Sequence, residues 1–154
     1  MLDLNKLETK LNEALEKETI ESLKLWVNMN RIIKEFDPQI YPYKLWVIID
    51  KTPDEIPTLF YGYDGKEIEN IVSSTDKMEA FTMPVMKKDF SSYGVIVFFR
   101  SKKQMNIRVI THEASHAAKF LFEHIGAEVK EHEPFEYVVG WVAECCDLSK
   151  KVKK

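Results

Sequence analysis

His112 and His116 stand four residues apart with Glu113 directly after the first of them. Four residues is about one helical turn and ~6 Å of rise, so on a helix both imidazoles project from one side and can converge on a single ion. Glu113 lies one residue further round. That offset directs its carboxylate to a water activated by the metal rather than to the metal itself, as a general base requires. His112-Glu-Ala-Ser-His116 is therefore the HExxH spacing of a zinc site with its own base, Zn2+ being the cofactor it predicts.

A catalytic zinc takes three protein ligands and leaves a fourth position to water, so another donor must follow. Glu128, Glu131, His132, Glu133 and Glu136 all lie shortly downstream. Pro134 suits the first turn of a helix running through Phe135–Glu144, which puts Glu133 at its start and Glu136 one turn in. Glu128 and Glu131 read as solvated loop carboxylates and His132 as a loop histidine before that helix. Cys145 and Cys146 lie far along it and read as buried packing.

Two stretches together resemble a known family. Thr111-His-Glu-Ala-Ser-His-Ala117, followed by Glu133-Pro-Phe-Glu-Tyr-Val-Val-Gly-Trp141, is similar to the gluzincin-like metallopeptidases, and most to the small zincin-like proteins of bacteriophages and prophages. In those the second element reads approximately Glu-Pro-x-Ala-Tyr-x-x-Gly, so Glu133, Tyr137 and Gly140 match while Glu136 stands where alanine is usual. The resemblance covers mainly residues 108 to 144. It implies zinc held by His112, His116 and Glu133, with Glu113 as catalytic base and hydrolysis of peptide or protein substrates. Glu136, one turn from Glu133, is an extra carboxylate that could compete for the metal or lie beside it. Tyr137 is the candidate oxyanion donor, and the strand at 93 to 100 resembles the edge strand on which zincins lay an extended peptide. A non-catalytic zinc-binding protein of the same fold, acting in binding or assembly of a phage or mobile-element product, is the alternative.

These residues need a frame. Ile107, Ile110, Ala114, Ala117, Ala118, Leu121 and Ile125 form one helical stripe from about Gln104 to Ile125, and Gly126 follows as a C-terminal cap. Tyr43–Asp50 and Tyr93–Arg100 are aromatic and β-branched, as buried strands are. Between them, Pro53, Pro57, Gly62, Asp64, Gly65 and Pro84 predict turns and one or two short strands across residues 51 to 92. Leu4, Leu7, Leu11 and Leu15 mark an amphipathic N-terminal helix, either scaffold or a subunit contact. Thr19 caps a second, carrying Leu23, Trp26, Val27, Ile33 and Phe36 to Asp37-Pro38.

The expected fold is a compact α+β zincin-like single domain, residues 1–154. It has N-terminal helices (1–37), a small mixed or antiparallel sheet (43–100) and two metal-site helices (104–148). At 154 residues and 45% hydrophobic the chain has the size of one core. Twenty-two Lys+Arg against 25 Asp+Glu, net charge -3, leave no footprint for nucleic acid. No apolar run suits a membrane span or a signal peptide, and two adjacent cysteines staple nothing distant, so a soluble cytoplasmic protein is expected. Lys150, Lys151, Lys153 and Lys154 read as a solvated basic tail. Oligomeric state is not legible.

Overall fold

The structure is a computed structural model that describes residues 13, 15–18, 20, 32–50, 52–129 and 132–152. The chain separates into Met1–Arg31 with Lys154, and Ile32–Lys153. In the first part, residues 13, 15–18 and 20 are helical and exposed, Leu15 among them. Leu4, Leu7, Leu11, Thr19, Leu23, Trp26 and Val27 lie outside the described residues.

The second part is an α+β unit. Its elements in chain order are β1 Ile32–Phe36, β2 Lys44–Ile49, α1 Ile56–Leu59, β3 Phe60–Gly62, α2 Ile71–Thr75, β4 Ala80–Lys87, β5 Tyr93–Phe99, a 3-10 turn Lys102–Gln104, α3 Ile107–Ile125 and α4 His132–Lys151. The sheet is mixed and five-stranded, in the order β1-β2-β5-β4-β3. Only β2 and β5 pair in parallel; the other neighbours are antiparallel.

The two strands read from the sequence sit side by side at the centre, and their near-continuous apolar runs follow from burial on both faces. Leu45, Val47, Ile49, Val95, Val97 and Phe99 face the layer of α3 and α4. Trp46, Ile48, Ile96 and Phe98 face the opposite way, against Ile56 of α1, Phe60 of β3 and Ile71 of α2.

Two expectations are corrected. Ile33 and Phe36 do not continue a helix: Ile32–Phe36 is an edge strand paired with β2, and Glu35 accepts a 2.8 Å hydrogen bond from the Trp46 indole. Their three-residue spacing fits a helix, but the open side of β2 offers a ladder of hydrogen bonds that the β-branched pair Ile32-Ile33 can take up. Residues 80–87, in the stretch expected to be turns and short strands, form the eight-residue β4. Pro84 obscured it. The pairs Lys87 with Ser92 and Glu79 with Arg100 show that odd-numbered residues bond to β5, so the missing N–H of Pro84 points to the other side, where a strand tolerates it.

Gly94 faces Lys44 in the parallel pair, and a Cβ there would stand 2.3 Å from the Lys44 carbonyl oxygen and 2.4 Å from the Trp46 ring. Neither can move aside cheaply inside a sheet. Gly94→Ala is expected to cost about 3 kcal/mol, read as a lowered midpoint in chemical denaturation.

The motif helix starts at Ile107, the first residue of its stripe and three residues after the expected Gln104. Asn106 caps it by accepting the Val109 N–H at 3.1 Å, and Gly126 ends it at φ 68°, as its sequence position predicts. α4 runs from His132 to Lys151, longer at both ends than Phe135–Glu144. Its C-terminal turn is tied down, because Lys150 donates to the Met105 carbonyl at 2.6 Å and Ser149 is fully buried. Lys150 is thus a tether rather than part of a solvated tail, whereas Lys151 pairs with Asp147 at the surface. No helix among the described residues is long and apolar enough to cross a membrane.

Candidate metal centre

α3 lies against the sheet through Ile110, Ala114, Ala117, Ala118, Leu121 and Phe122. His112 and His116 are on its opposite, exposed face, one turn apart. Their Nε2 atoms are 3.2 Å from each other and the rings are nearly perpendicular, at 79°. Two imidazole nitrogens on one tetrahedral zinc, at ~2.0–2.1 Å each, stand about 3.3 Å apart. The pair therefore already has the separation that shared ligation needs. Without a metal the same distance suits one Nε2–H donating to the other nitrogen, since two bare lone pairs would repel.

Glu113 turns from this face towards the sheet and is buried, 6% exposed. Its Oε2 accepts a 2.6 Å hydrogen bond from the Thr82 hydroxyl of β4. A buried carboxylate needs such a donor, and Thr82 fixes where the charge sits. A cavity of about 790 Å³ opens beside it, with Glu79, Ala80, Arg108, His112 and Glu113 in its walls. Sequence reasoning did not single out Thr82 or Glu79, which are distant in the chain and carry no motif. Arg108 had a signal, standing one helical turn before His112.

β5 was expected to be the peptide-binding edge, and it is not: β2 and β4 flank it on both sides. The available edge belongs to β4. β3 pairs only with Val85, Met86 and Lys87, so among the described residues no strand covers Ala80 and Thr82 on the side away from β5. By the pairing parity above, both direct their N–H and C=O to that open side. A one-strand displacement in reading the sheet accounts for the difference.

The structure brings His112 and His116 together, sets Glu113 on the sheet-facing side of the same helix, and does not bring Glu133 or Tyr137 to the pair. α3 continues nine residues past His116, about 13 Å, before the chain turns back. α4 then begins beside the far end of α3, where Phe122 and Phe135 meet with ring centres 5.5 Å apart. Glu133 and Tyr137 line a different groove, with Tyr41 and Trp141. Glu136 and Glu128 are exposed, while Glu131 and the side chain of His132 lie outside what is described. Nor does His124 supply a ligand. It sits in the last turn of α3, its Nδ1 3.1 Å from the Tyr63 hydroxyl and its ring against Tyr43 and Tyr93. Among the described residues no group of three or more His, Cys, Asp or Glu is placed to hold a metal.

Cys145 and Cys146 are buried free thiols, and burial pushes both up to about 12 from the ordinary 9.0. At pH 8 the thiolate fraction is then on the order of 10⁻⁴, so the folded protein should resist alkylation by iodoacetamide and react only after denaturation. Unfolded chains ionise first, so this contribution is intact below pH 9 and is lost as pH rises towards 12. An alkaline unfolding series that is flat above pH 9 would contradict it.

In comparison with known proteins, no family model, no curated protein and no solved structure matches the chain.

Proposed function

We propose that this protein is a zinc-dependent hydrolase of peptide bonds, with His112 and His116 as metal ligands and Glu113 as general base. The 3.2 Å separation of the two Nε2 atoms carries this reading, because it matches what a common tetrahedral metal requires. Zinc so held would polarise the scissile carbonyl and make water acidic enough to be deprotonated near neutral pH. Glu113 would take that proton and pass it to the leaving amine, serving as base and then as acid. Thr82 holds the Glu113 carboxylate in position at 2.6 Å. An extended peptide added to the open side of β4 at Ala80 and Thr82 would run past that carboxylate, since Thr82 belongs to both the edge and the base. Glu133 and Tyr137 have no part in this reading.

A second reading, zinc binding without turnover in a binding or assembly role, is favoured by the lack of a third donor beside the pair among the described residues. Zinc analysis of protein purified without chelator, together with digestion of a peptide library, separates the two. One equivalent of zinc with cleavage supports the hydrolase. Zinc without cleavage of any peptide supports the binding protein, and no zinc removes both.

A further inference from the structure

The cleft beside Glu113 carries two charges that the zinc chemistry does not use. Glu79 stands directly before β4 and Arg108 in the first turn of α3, and both line the same cavity of about 790 Å³. Both are exposed, and among the described residues neither the guanidinium nor the carboxylate has an ion-pair or hydrogen-bond partner. They do not neutralise each other. An arginine without an anion in the wall of a cleft is a receptor for carboxylates, since its fork of N–H donors matches two carboxylate oxygens.

Position decides what Arg108 can read. The even-numbered Thr82 and Ala80 turn their side chains to the α3 layer, Thr82 by its bond to Glu113 and Ala80 by packing on the same core as Val109. A peptide strand added at the open side of β4 shares this alternation, so its residues opposite Thr82 and Ala80 also face α3. The first of them stands at Glu113. The second lies two residues along, about 7 Å on a strand. Arg108 precedes Glu113 by five residues, about 7.5 Å on a helix, and the cavity walls include Ala80 and Val109 as well as Arg108. Both steps therefore lead into the same space, where the second peptide side chain meets the guanidinium. Glu79, one residue beyond Ala80, opposes a further acid.

We propose that Arg108 gives this cleft its substrate class: peptides with an aspartate or glutamate two residues from the one held beside Glu113. The inference rests on the hydrolase reading for its register, whereas recognition of the carboxylate is measurable without turnover. The probes are short peptides of alanine and serine that carry one aspartate at each position in turn, with lysine and alanine counterparts. With the zinc-loaded chain, aspartate at one position is expected to lower KM about fivefold against alanine, the upper range for an exposed ion pair, and to leave kcat alone because the contact is equal in ground and transition states. Arg108→Ala should abolish the difference and Arg108→Lys should restore most of it. Arg108→Glu should turn the preference to lysine at that position, which a merely structural role would not do. The same peptides, labelled with fluorescein and titrated by anisotropy against Glu113→Gln, report binding alone. Cleavage without a preference for aspartate, or a preference that survives Arg108→Ala, overturns the proposal and leaves the hydrolase standing. Arg108-dependent binding of the aspartate peptide without cleavage by the unaltered chain removes the hydrolase and keeps the acidic-peptide cleft. Neither cleavage nor such binding removes both.

Discussion

His112→Ala is expected to lower zinc affinity by roughly a hundred- to a thousandfold, because about 10–16 kcal/mol of binding in a complete four-ligand zinc site is about 2.5–4 kcal/mol per ligand. His116→Ala should act alike, and the double substitution should leave little beyond adventitious binding. The measurement is competition for zinc against a chelator that fixes its free concentration. Both side chains are exposed on α3 and pack against nothing in the core, so neither change should disturb the fold. His124→Ala is the control. That histidine is engaged with Tyr43, Tyr63 and Tyr93 at the end of the same helix, and its loss should leave the zinc affinity as it was. A His112→Ala protein that holds zinc as the unaltered chain does would falsify the proposed centre, whatever peptides it cleaves.

The parts of this protein legible from its sequence are those where local pattern and tertiary environment agree. β2 and β5 were readable because burial on both faces demands unbroken apolar runs, and α3 because its stripe and its Gly126 stop concur. β1 and β4 were not, for a shared reason. β1 is an edge strand and β4 is covered by β3 only at Val85–Lys87, so each is partly exposed and its sequence carries only a weak alternation: Ile33 passed for a helical position and Pro84 for a turn. Their pairing is decided by what β2 and β5 leave open, which no window of sequence displays.

The candidate site divides in the same way. A pair at positions i and i+4 of one helix needs nothing from elsewhere, and His112 and His116 stand together as their spacing predicts. Glu133 depended on how far α3 runs before α4 begins, and that distance is set by Leu121, Phe122 and the Gly126 cap rather than by the motif. Thr82 could not have been found at all, since its bond to Glu113 spans 31 residues and rests on the placement of a strand that the sequence concealed. What fixes Glu113 is a long-range packing contact. What fixes the histidine pair is local geometry.

That distinction makes Glu113→Gln the sharpest test of turnover. The glutamine side chain has the same length and shape, and its carbonyl oxygen can still accept the Thr82 hydroxyl bond, so the buried position keeps its partner and its packing. What it loses is the ability to take a proton. Positioned proton transfer contributes about 10²–10⁴-fold to such reactions, so kcat for peptide cleavage should fall by roughly a thousandfold. Zinc content should stay the same, because the two imidazoles are untouched, and the thermal midpoint should change little. The combination is what discriminates. Loss of cleavage together with loss of zinc would mean that the substitution damaged the centre, and retained cleavage would place the base on another residue. If neither the unaltered chain nor the variant cleaves any peptide while both bind zinc, Glu113 is a buried acceptor for Thr82 in a binding protein.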